Sequence, residues 1–380
     1  MKQTHVEALN IREDILGIVT SKERLFNKKR YIFWGDFTKE KTGYLATISR
    51  KKTAVSRGPM AYGVASDFTL NDGDVVLLTP EGLLTVLYDI NSEHNAIMAT
   101  ERCNHRCIMC PQPPIVQEKD KTSFNLSLID LMDPSTKEVG ITGGEPTLIG
   151  DNLFVLIKHI QKRLPKAAIS ILSNGVRFAD KDFAKKLALC QHHDFQIDIP
   201  VFSDVASEHN RIVGANTFYK TVAGLYNLAL FKVRIGIRVV VHKQTFSRLP
   251  QLADYIYHNF PFVNQVAFMQ METTGLAQEH IDQLWIDPYD YKEELREAIL
   301  LLRDRGIPSY IYNSQLCVLP EDIREYAVQS ISDWKDIYIE ECDQCALKGC
   351  CAGFFASNRE HHSAHIKAQT EMITKPICLT

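Results

Sequence analysis

The sequence contains no apolar run approaching the roughly 18 to 20 residues that a membrane-spanning helix needs. Its opening, Met-Lys-Gln-Thr-His-Val-Glu, lacks the apolar stretch of a signal peptide. Neither membrane insertion nor export is expected, and a cytoplasmic protein is. A large charge of one sign is also missing: 43 Lys and Arg stand against 46 Asp and Glu, a net charge of -3, which argues against an overall nucleic-acid footprint. In a reducing compartment the 10 cysteines are read as thiols or metal ligands rather than disulfides. The 380 residues, 45% of them hydrophobic, provide for one large domain of about 200 to 250 residues with smaller appendages.

One further absence is local. Cys103, Cys107 and Cys110 stand as C-x3-C-x2-C with no fourth cysteine beside them. A closed zinc or iron-sulfur site takes four ligands, so three on one loop leave either a distant partner or an open iron where a cofactor can bind. Past an apolar strand follows Gly140-Ile-Thr-Gly-Gly-Glu-Pro-Thr147. There Gly143 and Gly144 let backbone approach a ligand, and Glu145, ahead of Pro146, can pair with an ammonium group. This combination resembles the radical S-adenosylmethionine (SAM) superfamily. The resemblance implies that the three cysteines hold three irons of a [4Fe-4S] cluster whose fourth iron binds the amino and carboxylate groups of SAM. One electron, from a partner such as flavodoxin or ferredoxin, would split SAM into methionine and a 5'-deoxyadenosyl radical that takes hydrogen from a substrate. The protein's part is placement.

Residues 1 to 92 read as a small β-rich unit, with short apolar runs separated by turn signals such as Asn71-Asp-Gly73 and Thr79-Pro-Glu-Gly82, and imply a small barrel or sandwich. Charge is uneven within it: residues 1–57 hold 13 Lys and Arg against 6 Asp and Glu, while 58–100 hold 6 acids and no base. A free sheet edge here would take a peptide strand, with Lys28, Lys29, Arg30, Arg50, Lys51 and Lys52 steering an acidic partner. From 93 to 312 strands and helices alternate, as in a parallel α/β sheet. Strands are expected at 96–101, 138–142, 168–173, 195–202, 234–242 and 264–272, and the resemblance makes them a partial (β/α)6 barrel.

Two of these strands are polar on one face. Arg234, Gly236, Arg238, Val240 and His242 alternate with Ile235, Ile237, Val239 and Val241, and Gln196 and Asp198 alternate with Ile197 and Ile199. One face then packs on helices while the other lines a polar cavity. Arg238, Asp198 and Glu272 are the catalytic candidates, and Arg238, Gln270 and His242 are candidates for contacts to SAM or substrate at the C-terminal strand ends. By resemblance, Ser173 and Asn174 meet the SAM ribose, Met109 takes the place of an aromatic residue near the adenine, and His209-Asn-Arg-Ile-Val-Gly214 matches a His-x-x-Ile-x-Gly loop.

A second cysteine group lies at 313–357: Cys317, Cys342, Cys345, Cys350 and Cys351. Cys317, Cys342, Cys345 and Cys351 are the expected ligands, since adjacent Cys350 and Cys351 point apart and rarely share one small site, and which of that pair is the ligand stays open. Their spacing leaves an auxiliary [4Fe-4S] cluster and tetrahedral zinc both open. Residues 358–380, with His361, His362, His365 and Cys378, read as a solvated tail. The runs Cys110-Pro-Gln-Pro-Pro114, Ile199-Pro-Val-Phe-Ser-Asp204, Leu316-Cys-Val-Leu-Pro320, Ser330-Ile-Ser-Asp-Trp-Lys335 and Cys351-Ala-Gly-Phe-Phe355 resemble the His-Xaa-Ser system radical SAM maturases of the C type. That implies a ribosomally made precursor peptide as substrate and a second, paired radical SAM protein. A small-molecule or nucleotide substrate and a non-catalytic iron-sulfur sensor are the alternatives.

Overall fold

A computed structural model describes residues 2–52, 57–190, 192–329, 337–358 and 361–370. The run Ser330–Lys335 and Cys378 lie outside the described residues. The chain divides into a unit of Met1–Ile97, Asp120–Gly140 and Val155–Ala168, and a unit of Met98–Lys119, Ile141–Phe154 and Ile169–Thr380. Among the described residues no helix is long and apolar enough to cross a membrane.

In the first unit the short apolar runs form β1 (Gln3–His5), β2 (Glu7–Leu9), β3 (Ile15–Thr20), β4 (Tyr31–Trp34), β5 (Ala46–Ile48), β6 (Met60–Tyr62), β7 (Val75–Leu78) and β8 (Leu83–Tyr88). Their order is β1-β8-β7-β3-β4-β5-β6-β2. The two end strands, β1 and β2, are consecutive in sequence and joined by Val6 alone, so the sheet returns to its own first strand and closes as a barrel. Closure depends on Gly82, at φ +81, where a Cβ would stand 2.1 Å from the Val6 carbonyl; Val6 N donates to Gly82 O at 2.8 Å. Ile32, Ile48, Ala61, Val76, Leu78 and Leu84 fill the interior, each large one worth about 1.5 to 3 kcal/mol when buried. The expectation of a free edge for an added peptide strand therefore fails, because closure removes the long edge that such pairing uses.

The second sheet runs in chain order through β9 (His94–Thr100), β10 (Glu138–Gly143), β11 (Ala168–Leu172), β12 (Phe195–Pro200), β13 (Arg234–Val241), β14 (Gln265–Gln270), β15 (Ser309–Tyr312) and β16 (Ala327–Val328). From β11 to β16 every neighbour is parallel. Helices such as Lys181–Ala188, Phe218–Leu230, Leu249–Asn259 and Lys292–Asp304 make the crossovers. Asp180 starts the first of these by accepting from the N–H groups of Asp182 and Phe183, a cap worth about 1 kcal/mol. All six expected strands form, and β15 and β16 extend the sheet beyond them. On β13, Ile235, Ile237, Val239 and Val241 are buried, as the alternation predicts.

Residues 361–365 are not the solvated tail that composition predicts. His361, His362 and His365 lie against Trp285, Phe354 and Tyr289, the last pair stacked with centroids 3.8 Å apart. Ala364 N donates to Asp287 Oδ2 at 3.0 Å.

Candidate functional site

The cysteine loop is irregular, and its backbone is gripped from three sides. Gly144 N donates to Thr100 O at 2.7 Å and Glu145 N to Arg102 O at 2.8 Å. A Cβ on Gly143 or Gly144 would stand 2.2 Å or 2.3 Å from those same carbonyls, so only glycine permits the approach. On the second side, Arg106 N and Ile108 N donate to the carbonyls of Val213 and Ile212. Gly214, in the left-handed region at φ +65, ends that helix and would place a Cβ 2.8 Å from Arg106 O. On the third, Leu276 N donates to Cys110 O at 2.9 Å beside Gly275 at φ +58. The three thiols are electrostatic neighbours. Burial pushes Cys103 up to about 11 and Cys107 up to about 12, and raises Cys110, so as free thiols all three are protonated.

Glu145 is 1% exposed and joins the loops that follow β10 and β11. Its Oε1 accepts from Thr147 N, Thr147 Oγ1 and Ser173 Oγ at 3.0, 2.6 and 2.8 Å, and its Oε2 accepts from Asn174 N at 2.6 Å. Asn174 Nδ2 in turn donates to Asn104 Oδ1 at 2.6 Å, inside the cysteine loop. The sequence reading gave this carboxylate to an ammonium group. As placed, both oxygens are engaged by protein donors. Pro146 opens the short 3-10 turn Pro146–Ile149 that Glu145 caps.

The strand register fixes which side chains share the barrel interior. Asp198 pairs with Gly236, Arg238 with Ala267, and Met269 with Tyr312. Gly236 makes room for Asp198, since a Cβ there would lie 2.0 Å from Asp198 Oδ1. Gln196 Nε2 donates to the same oxygen at 2.9 Å. Arg238 directs Nε and Nη2 at the Met269 sulfur, 3.3 and 3.1 Å away. Burial lowers its pKa, and Asp198 and Tyr312 oppose that fall. Tyr310 and Tyr312, which the sequence reading missed, share this face; the alternation in Ser309-Tyr-Ile-Tyr was their signal.

Three expectations need correcting. Gln270 pairs with Val241, on the helix-facing side with Ile237 and Val239, and its Oε1 is buried without a partner among the described residues. Glu272 lies half-buried beyond the end of β14 rather than in the interior row. Met109 is 4% exposed and packs in an apolar cluster with Phe202, Ile212 and Met271. His242 begins the loop after β13. Its Nδ1 accepts from Gln244 N at 3.2 Å, its Nε2 is buried without a partner among the described residues, and burial lowers it to about 3.

With this geometry in hand, residues 97–256 match the family described as the radical SAM superfamily. The stretch is a radical SAM domain. Among characterised proteins the chain is 28% identical over 185 residues to a GTP 3',8-cyclase of Desulforamulus reducens, covering 46% of this chain and 56% of that protein. It is 30% identical over 172 residues to the tungsten-containing aldehyde ferredoxin oxidoreductase cofactor-modifying protein of Pyrococcus furiosus, covering 41% and 46%. The chain thus spans about half the length of these two relatives. Streptococcus suis SuiB bound to SAM aligns over 58% of this chain and 50% of that chain, at 15% identity and a TM-score of 0.49.

Radical SAM domains use a [4Fe-4S] cluster and SAM, and the residues present fit both. Three neighbouring thiols on one clamped loop supply soft ligands, and glycine at 143 and 144 lets the end of β10 close on that loop. Because the thiols are held protonated, loading iron must release protons, which makes it pH-dependent. Among the described residues, no three His, Cys, Asp or Glu side chains are grouped so as to hold a single metal ion.

The radical SAM domain is followed by the second cysteine group. Cys317, Cys342, Cys345 and Cys351 line one cavity, together with Tyr338 and Phe354. Cys351, pushed up to about 11 mainly by burial, feels Cys317 and Cys342, and Cys317 feels Cys342 and Cys345. Cys350 turns its thiol to the Leu347 carbonyl at 3.4 Å.

Proposed function

We propose that this chain is a peptide-modifying radical SAM enzyme. Cys103, Cys107 and Cys110 hold the catalytic [4Fe-4S] cluster, and the backbone of Gly143 and Gly144 receives SAM. When bound, this pair supplies reductive cleavage to methionine and a 5'-deoxyadenosyl radical, which takes a hydrogen atom from the substrate. The protein holds the cluster loop rigid at three points and presents Asp198, Arg238, Tyr310 and Tyr312 inside the barrel to orient the substrate. Cys317, Cys342, Cys345 and Cys351 hold a second metal centre, an auxiliary [4Fe-4S] cluster, with zinc as the alternative. A flavodoxin- or ferredoxin-type donor and a paired radical SAM protein complete the system.

The observation that carries the reading is the cysteine loop clamped jointly by the Gly-Gly-Glu-Pro and His-Asn-Arg-Ile-Val-Gly motifs. The peptide substrate is supported by the maturase-like runs around Cys110, Pro200, Cys317 and Cys351, and by the barrel interior. Among the described residues on β12 to β15 that face carries Arg238 beside the carboxylate of Asp198, while Arg234, at the start of β13, is paired with Asp194 at 2.8 Å. Such a near-neutral lining suits a peptide side chain better than a polyphosphate.

The similarity to GTP 3',8-cyclases favours a second reading, a small-molecule substrate. Anaerobic assay of 5'-deoxyadenosine with a His-Xaa-Ser-repeat precursor peptide, and separately with GTP, decides between them. Stimulation and a mass change in the peptide support the first reading; conversion of GTP establishes the second.

A further inference from the structure

The N-terminal barrel carries a cavity at the C-terminal ends of two adjacent parallel strands. β4 and β5 pair in parallel, Phe33 opposite Thr47 and Trp34 opposite Ile48. The chain leaves both strands on the same rim, where described residues of the two following loops border an open cavity of about 470 Å³. Lys39 and Lys41 come from the first loop, and Lys51 and Lys52 from the second. Crevices at the carboxyl ends of parallel strands are recurrent ligand sites.

The charge balance of the cavity is specific. Lys41 is already paired, 2.5 Å from Glu23, and sits over the Phe33 ring. Lys52 stands 5.4 Å from the Tyr62 ring centroid. Lys39, Lys51 and Lys52 then face one carboxylate in the lining, Asp36, with Phe37 as the apolar wall. Three other basic residues of this segment are engaged elsewhere. Arg30 donates to Asp130 O at 3.0 Å, Arg50 to the carbonyls of Ala65 and Phe68, and Lys28 lies over Tyr44.

We infer that this cavity is a docking site for an acidic peptide segment, which on the peptide-substrate reading above belongs to the substrate. A segment with two or three carboxylates matches the cationic excess, and Phe37 offers contact to an apolar side chain. Nucleic acid fits less well, because residues 58–88 of the same barrel contribute 4 acids and no base and would repel a long polyanion. The closed sheet offers no strand addition, so recognition falls to these loops and is electrostatic.

The test is fluorescence anisotropy on the full chain with a labelled glutamate-rich peptide, its glutamine counterpart and a single-stranded oligonucleotide. The glutamate peptide should bind best, weaken as salt rises, and lose about tenfold or more in affinity in Lys39→Glu/Lys51→Glu/Lys52→Glu. The milder triple Gln variant should fall between, with SAM cleavage in the absence of peptide unchanged in both. Equal binding of the glutamine peptide, tighter binding of the oligonucleotide, or unchanged affinity in the variants would overturn the inference. Because binding is read without turnover, a chain that binds the probe yet modifies no peptide refutes the substrate reading and leaves the site standing. Turnover on a peptide without probe binding does the reverse.

Discussion

Glu145 Oε2 accepts from the backbone N–H of Asn174 at 2.6 Å, and with the Ser173 Oγ bond to Oε1 at 2.8 Å it joins the loops that end β10 and β11. Since Oε1 accepts three further bonds, no orientation of a glutamine amide satisfies both ends. Glu145→Gln is therefore expected to destabilise the fold by about 1 to 3 kcal/mol, the cost of a buried donor set against donors. Denaturant melts measure this; a variant as stable as the wild type would show that the carboxylate is not a brace.

Gly214 and Gly150 separate backbone strain from a clash on the cysteine loop. Both have positive φ, +65 and +62, but a Cβ on Gly150 meets nothing within 4 Å, whereas one on Gly214 would reach Arg106 O at 2.8 Å. Alanine should cost about 1 to 2 kcal/mol in left-handed strain at Gly214, where ψ is 26, and more at Gly150, where ψ is -133, a backbone region essentially confined to glycine. Only Gly214→Ala should also reduce iron loading of reconstituted protein, read by iron analysis and visible absorbance. Equal loading in the two variants would remove the buttressing role of the His209–Gly214 loop.

Fully reconstituted chain should hold about eight irons, from two four-iron clusters. Cys351→Ala should halve that number, while Cys350→Ala, whose thiol faces the Leu347 carbonyl, should leave it unchanged. About four irons with one zinc would instead establish a zinc site.

His209 and His242 are both 1% exposed, and burial lowers them to about 4 and about 3. The unfolded chain, with imidazoles near 6.5, takes up protons first as pH falls, so stability is fully present above about 6.5 and is lost as pH drops from there toward 4. Between pH 7.5 and 5 the loss should be about 2 kcal/mol per ring. His209→Gln/His242→Gln should flatten that dependence in urea melts; an unchanged slope would mean that the rings are protonated in the folded chain.

Much of this was legible in sequence because period-two alternation is a direct record of burial. Ile235 to Val241 reported both faces of β13 before any coordinates, and the six expected strands form. Position near a strand end was a weaker guide than alternation. Gln270 and Glu272 were placed inside by their position near the C-terminal end of β14, yet register sets Gln270 beside Val241. Tyr312 was missed because a four-residue strand gives too little period to read. The spacing implied a barrel or a sandwich without deciding between them, because closure depends on Val6 meeting Gly82, a contact between distant residues that no local pattern encodes. The bracing bonds of Glu145 were hidden likewise, since its partners Ser173 and Asn174 come from another loop.

The central claim is that Cys103, Cys107 and Cys110 carry a cluster that cleaves SAM. Its most direct test is 5'-deoxyadenosine formation by anaerobically reconstituted, dithionite-reduced protein, wild type against the triple Cys→Ala variant. The wild type should form it, and the variant should fall to background while keeping the fold. Formation by the variant at the wild-type rate, or none by iron-loaded wild type, would contradict the account.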